Sequence, residues 1–203
     1  MSEGALSRAV DDFTAGARHL TELVALIDDD RWDGPGLGEW SLRSLVGHAS
    51  RSLTTVVSYL AEPGSDIELD STAAYFASIQ GYGDPASVRQ RGVDAGLALG
   101  DDPRAGVLER RDQAIRALAG ERDRPLTTPF GGIMLSDYLP TRTFELAVHG
   151  LDISRAIDAD LPLPAPVLAS ALSTTTAIAT RIGQGERVLL TLTGRESEPP
   201  TLV

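Results

Sequence analysis

The sequence predicts a mainly all-α protein built as a helical bundle, and three observations carry that prediction. Apolar residues recur at alternating steps of four and three through several long segments, the spacing of a seam between helices packed at shallow angles. Turn and cap signals, such as the Gly/Pro stretch at 34–38 and Ser41 after it, separate those segments. With 203 residues the chain is long enough to bury one core without covalent staples.

The first helix is read from Leu6, Val10, Phe13, Ala17, Leu20, Val24 and Ile27. The same alternation resumes in Leu42, Val46, Ala49, Leu53, Val56 and Leu60. Here Ser41 stands at the N-cap, Trp40 is placed to staple onto Leu45, and Pro63 lies just beyond the end. Residues 64–103 have a weaker pattern and are read as the irregular part of the fold. Within them a short apolar piece at Tyr75 to Ile79 and a helical piece at Val88 to Leu99 stand out. Another helix is predicted from Arg104 to Ala119, with Leu108, Ile115 and Leu118 inward and Gly120 as its stop.

Pro125 to Gly132 reads as a loop, and a long helix follows from Ser136 to Ala159. Pro140 lies near its first turn, where a missing N–H is tolerated. After a proline-rich hinge at Leu161 to Pro166, a fifth helix is marked by Leu168, Ala171, Leu172, Thr175, Ile178 and Ile182. Arg187 to Thr193 alternates apolar and polar positions and reads as a short terminal strand. Its open edge would meet a second copy of the chain in a homodimer, residues outside the segment, or the bundle itself.

Composition excludes several partners. Lys and Arg total 18 against 29 Asp and Glu, a formal charge of −11, which repels nucleic acid and anionic membranes and leaves no basic block to bind them. There is no cysteine, so a disulfide framework, a thiolate metal site and a cysteine nucleophile are all excluded. Any metal must sit on nitrogen and oxygen ligands, and any thiol chemistry must use a thiol from a second molecule. Met1 to Asp12 lacks the basic start and apolar run of a signal peptide, and no apolar stretch reaches the roughly 20 residues of a membrane span. Cytoplasm is the expected location.

The helix predicted over 136–159 carries a polar line beside its apolar seam. Tyr138, Arg142, Glu145, His149 and Asp152 follow the four-three spacing, bordered by Leu135, Leu139, Leu146 and Ile153. A line so placed points into the bundle, where an unpaired charge is costly and needs a ligand or partner. Glu145 and His149 stand one turn apart and can share one ion, and His48, beside Gly47 on another helix, supplies a third donor. The alternative is that both histidines are hydrogen-bonded core residues.

Three protein ligands leave positions open for water or substrate, as in catalytic zinc sites; the same set suits iron(II) or nickel(II). Asp152, one turn beyond His149, is a candidate to orient that imidazole, or else pairs with Arg155. Arg142 is either a clamp for an anionic substrate or one half of a structural ion pair. Tyr138 reads as core, His19 as surface, and Trp32 and Trp40 first as packing around the turn and second as candidate walls near His48.

Two segments together carry a family resemblance. Trp40-Ser-Leu-Arg-Ser-Leu-Val-Gly-His48, with Trp32 upstream, resembles the first signature of the mycothiol-dependent maleylpyruvate isomerase family of the DinB-like helical bundles. Pro129-Phe-Gly-Gly, followed by Asp137-Tyr-Leu-Pro-Thr-Arg-Thr-Phe-Glu145-Leu-Ala-Val-His149-Gly-Leu-Asp152, resembles the second, and the likeness spans roughly residues 5–160. The resemblance implies a DinB-like four-helix bundle, here with an extra C-terminal helix and the short terminal strand. It also implies one divalent metal, usually zinc, on His48, Glu145 and His149, and mycothiol, the actinobacterial counterpart of glutathione, as co-substrate.

Residues 1–160 would then be the metal-binding unit, and residues 161–203 a remnant of, or an extension replacing, the second domain that isomerases of this family carry. A thiol-dependent isomerase or S-transferase acting on a small electrophile is the leading expectation. Metal-assisted hydrolysis with Asp152 as base, and a non-catalytic metal-binding or stress-response bundle, are the alternatives.

Overall fold

Four long helices frame the molecule because each has one continuous apolar face to bury. The computed structural model describes residues 2–80 and 84–202. The frame consists of α1 (Ser2–Ala25), α2 (Leu42–Ala61), α5 (Pro103–Leu118) and α6 (Leu135–Ile157). Their packing forms a ring in which α1 and α2 each contact both α5 and α6. The shared core is made by Phe13, Leu20 and Val24 of α1, Leu45, Leu53 and Val56 of α2, and Leu135, Leu139 and Ile153 of α6, all essentially without solvent exposure. At about 25 cal/mol per Å² of apolar surface removed from water, this seam supplies the main driving force for the bundle.

The second helix begins as its sequence requires, with the Ser41 hydroxyl accepting from the Ser44 N–H at 3.2 Å. On α5 the inward positions are Val107, Ala114 and Leu118; Leu108, expected inside, is 44% exposed. The helix is rotated by about one position from the predicted face, which leaves Val107 to fill the seam. His19 is likewise not at the surface: it is buried, against the side-chain-free face of Gly150 on α6. Burial lowers its pKa, against the opposing charge of Glu22.

The segment read as irregular is largely regular. It contains β1 (Ile67–Leu69), α3 (Thr72–Ile79) and α4 (Pro85–Leu97). The stretch from Pro125 to Gly132, expected as a loop, is most of a hairpin: β2 (Pro125–Thr128) pairs antiparallel with β3 (Gly131–Met134), and β1 joins β3 in parallel on its other side. Strands this short carry too few residues to show a period, and their Pro, Thr and Gly resemble turn composition. Gly132 is obligatory, since a Cβ there would lie 1.9 Å from the Asp66 carbonyl oxygen.

The fifth predicted helix is α7 (Ala165–Arg181), packed on α6, α3 and α1. Its buried line is Val167, Ala171, Thr174 and Ile178, while Leu168 and Leu172 face outward. Arg187 to Thr193 is not a strand. It belongs to α8 (Gly185–Leu192), which packs on α7 and closes with the Thr193 N–H donating to the Leu189 carbonyl. A short leucine run reads equally as strand or helix, and with no strand beside it among the described residues to accept its backbone groups the segment satisfies them internally. Among the described residues no helix is long and apolar enough to cross a membrane.

Candidate metal centre

The polar line of α6 faces α2, and α2 answers it with a polar line of its own. His48, Ser52, Thr55 and Tyr59 recur at steps of four, three and four along α2 and line one cavity of about 420 Å³ with Arg142 and Glu145 of α6. The remaining walls include Tyr75 of α3, Val88 and Arg91 of α4, and Phe130 from the β2–β3 turn. The sequence reading identified the α6 line and missed the α2 line, although the same spacing was present in both.

At one end of this cavity the three expected ligands converge. Donor atoms of His48, Glu145 and His149 lie within 4.8 Å of one another. The His149 Nε2 is 3.3 Å from Glu145 Oε2, and the rings of His48 and His149 meet edge to face with centroids 4.8 Å apart. The His48 Nδ1 is buried with no hydrogen-bond partner among the described residues. An orphaned imidazole nitrogen beside a carboxylate and a second imidazole fits a divalent cation, which would take the place of the Glu145–His149 contact and supply the partner that His48 lacks among the described residues.

Two contacts hold this geometry. The His149 Nδ1 donates to Asp152 Oδ2 at 3.2 Å, which fixes the ring and turns Nε2 toward Glu145. Asp152 is thereby committed to His149, and no ion pair with Arg155 forms among the described residues. Of the two tryptophans expected as walls, Trp40 packs on His48 with ring centroids 4.6 Å apart, its Nε1 donating to the Arg89 carbonyl at 3.0 Å, whereas Trp32 lies under Arg43. The closeness of α4 depends on glycine: a Cβ on Gly92 would lie 2.6 Å from the Trp40 ring, and one on Gly47 would lie 2.2 Å from the Gly96 nitrogen.

Charge in the site is set by burial and by neighbours. Burial pushes the His48 pKa down to about 4, with the nearby His149 adding to the effect. Burial acts in the same direction on His149, but hydrogen bonds to Asp152 and Glu145 outweigh it and lift that imidazole to about 9. Burial would raise Glu145, yet its hydrogen bond to His149 and the charge of Arg142 hold it below the ordinary carboxylate value.

At pH 7 the metal-free site therefore holds one proton beyond the neutral imidazole, on His149 toward Glu145, and a metal ligand must be deprotonated. Metal binding is expected to release about one proton per ion at pH 7, with affinity rising about tenfold per pH unit toward the His149 pKa near 9. Calorimetry in buffers of different ionisation enthalpy reads this directly. Absence of proton release would mean that His149 is neutral before the metal arrives.

Arg142 resolves differently from a structural ion pair. Its Nε donates to Thr141 Oγ1 at 2.9 Å, and the guanidinium lies over the rings of Tyr138 and Tyr75 at 5.1 and 5.3 Å from their centroids. It forms no ion pair with a described carboxylate; burial disfavours its charge, but Tyr138, Tyr75, Glu145 and Tyr59 around it keep it fully protonated. Tyr138 is core, as expected, with its buried hydroxyl beside Thr55 but in no hydrogen bond of ordinary geometry. Arg51 and Arg91, which the sequence reading did not single out, also line the cavity without a carboxylate partner among the described residues. Only the tertiary approach of α4 brings Arg91 there.

Comparisons with known proteins agree with this architecture. The family model of the mycothiol maleylpyruvate isomerase N-terminal domain matches residues 13–154. The crystal structure of the mycothiol-dependent maleylpyruvate isomerase superposes with a TM-score of 0.57 at 15% identity, over 81% of this chain and 67% of that one. A mutant form of the same isomerase gives a TM-score of 0.54 at 15% identity with the same coverage. Among curated proteins there is no match. Residues 13–154 contain the whole donor set and most of the bundle, and the chain belongs to the mycothiol maleylpyruvate isomerase N-terminal domain family.

Proposed function

We propose that this protein is a metal-dependent enzyme that uses mycothiol or a similar small thiol as co-substrate, in thiol transfer to or cis–trans isomerisation of a small anionic electrophile. The observation that carries the reading is the convergence of His48, Glu145 and His149 at one end of a cavity whose walls hold arginines without carboxylate partners. Zinc best suits two imidazoles and one carboxylate with positions left open, and iron(II) or nickel(II) accept the same donors. When bound, such a metal supplies a position at which a thiol is held as thiolate, the nucleophilic form. A chain without cysteine requires that thiol to come from outside.

The chain's own residues then have distinct tasks. Asp152 holds the His149 ring in the orientation that presents Nε2, and Trp40 packs His48 from the other side. Arg142 is the partner of the electrophile's negative group: a half-buried guanidinium in no ion pair with a described carboxylate leaves its fork open, and a planar anion can fill it. Asp152 is engaged by His149 and does not present a free carboxylate to a water molecule, which weighs against metal-assisted hydrolysis. All of these residues lie within residues 1–160, which we take as the metal-binding unit, with 161–203 as an extension packed on it.

Cobalt substitution tests this reading. Addition of mycothiol to the cobalt protein is expected to produce a thiolate-to-metal absorption band that saturates with thiol. No band at saturating mycothiol would sink the thiol-dependent assignment.

A further inference from the structure

We propose that Tyr75 is a catalytic hydrogen-bond donor that, with Arg142 at its back, holds the oxygen anion developing on the electrophile as a thiolate adds to it. The assignment rests on the thiol-dependent reading above and adds to it a residue that neither signature segment contains.

Tyr75 is 4% exposed and lines the cavity together with Arg142 and the ligands His48 and Glu145. Its ring is locked on several sides: Phe130 meets it edge-on at 5.5 Å, Phe76 at 6.0 Å and Tyr138 at 5.9 Å between centroids, while the Arg142 guanidinium covers its face. Its hydroxyl makes no hydrogen bond with any described residue, unlike Thr55, whose hydroxyl is committed to the Arg51 carbonyl at 2.9 Å. A fixed ring with an unspent O–H is a preorganised donor, which need not reorient as charge develops.

The electrostatics make it a donor and not a base. Burial raises the phenol pKa, only partly offset by Arg142, so Tyr75 keeps its proton at neutral pH. Glu145 and Arg51 are among the charges it senses, which places it in the same enclosure as the metal ligands. Tyr59 also has an uncommitted hydroxyl but is the more exposed of the two and packs only against Tyr138 among the described rings. The guanidinium over the Tyr75 ring further favours negative charge beside the hydroxyl.

The step balances without a redox partner. The thiolate sulfur forms a C–S bond to one carbon of a double bond conjugated with a carbonyl. The π electrons move onto the carbonyl oxygen, which accepts the Tyr75 hydrogen bond. Rotation about the carbon–carbon bond that was the double bond follows, then the electron pair returns, the C–S bond breaks and the thiolate leaves. No proton is consumed, so Tyr75 stabilises the anion without giving its proton away.

Two measurements on the full-length, zinc-loaded protein test this, comparing wild type with Tyr75→Phe. In turnover of maleylpyruvate with mycothiol, the variant is expected to lose about 10²-fold in kcat with KM unchanged and metal content intact, the signature of an interaction made only as the oxyanion forms. Independently, 4-nitrophenol is titrated by its phenolate absorbance. Bound to wild type it should ionise about one pH unit lower than when free, a tenfold preference for the anion, and Tyr75→Phe should abolish most of that shift. An unchanged kcat, or identical optical titrations, overturns the assignment. A wild type that turns over no substrate yet shows the Tyr75-dependent shift overturns the thiol-dependent reading and leaves the oxyanion site standing.

Discussion

Purified without chelators or affinity-tag metal, the protein is expected to carry about one divalent ion per chain, and both His48→Ala and Glu145→Ala are expected to lose it. Each change removes one of three donors that converge within 4.8 Å, and two remaining ligands do not hold zinc at stoichiometry during purification. Fold loss is not a confounding route, because the bundle core of Phe13, Leu20, Leu45, Leu53, Leu139 and Ile153 lies apart from these groups and helical circular dichroism should persist. Asp152→Asn provides a graded companion: it keeps all three donors but weakens the acceptor for His149 Nδ1, and a loss of about 10- to 100-fold in affinity is expected. Elemental mass spectrometry decides the first part and competition with a chelating dye the second. Protein that takes up no stoichiometric metal even after incubation with zinc would remove the enzyme reading.

Gly47→Ala is expected to be among the most destabilising single-methyl changes in the molecule. In an isolated helix the change would gain about 1 kcal/mol of helix propensity. Here the added Cβ would lie 2.2 Å from the Gly96 nitrogen and 2.4 Å from its Cα, both backbone atoms of a packed helix, so α4 must move away from α2. Overpacking of this kind costs about 3 kcal/mol, so the net loss after the propensity gain is about 2 kcal/mol, a fall in Tm of roughly 4–8 °C for a domain of this size. Displacing α4 also loosens Trp40 on His48 and carries Arg91 away from the cavity, so metal affinity should fall along with stability. Thermal unfolding by circular dichroism and metal titration of the same sample measure both. A variant as stable as wild type would show that α4 has room to give way.

The frame was readable because its signal is local and repeated. In α1, α2 and α6 four-three apolar spacing runs over five or more turns, and such a period has one solution, a helix with that face buried. The donor set was readable for the same reason: Glu145 and His149 sit one turn apart on the polar line of α6, and His48 borders the seam of α2. The failures lie where the period is short or the deciding partner is remote. The β2–β3 hairpin has four residues in each strand, too few to distinguish alternation from a turn, and its third strand comes from more than fifty residues earlier. The leucine run at 188–192 fits either period, and its helical form is chosen by the absence of a neighbouring edge among the described residues and by packing on α7. His19 was misplaced because its burial depends on a glycine of another helix.

Residue type and spacing alone thus determined the bundle class and the exclusion of thiolate chemistry from within the chain, and they nominated His48, Glu145 and His149 while leaving open that both histidines were hydrogen-bonded core residues. These follow from side-chain chemistry and from the helix repeat, which need no knowledge of distant segments. Only the tertiary structure decided that Arg142 is half-buried with no ion pair to a described carboxylate, that Arg51 and Arg91 share its cavity, and that Tyr75 lines the same space with its hydroxyl in no hydrogen bond among the described residues. Those facts are set by how closely α3 and α4 approach α2 and α6. That closeness depends on the fit of Gly47 to Gly96 and of Gly92 to Trp40, contacts between residues about fifty apart in the chain.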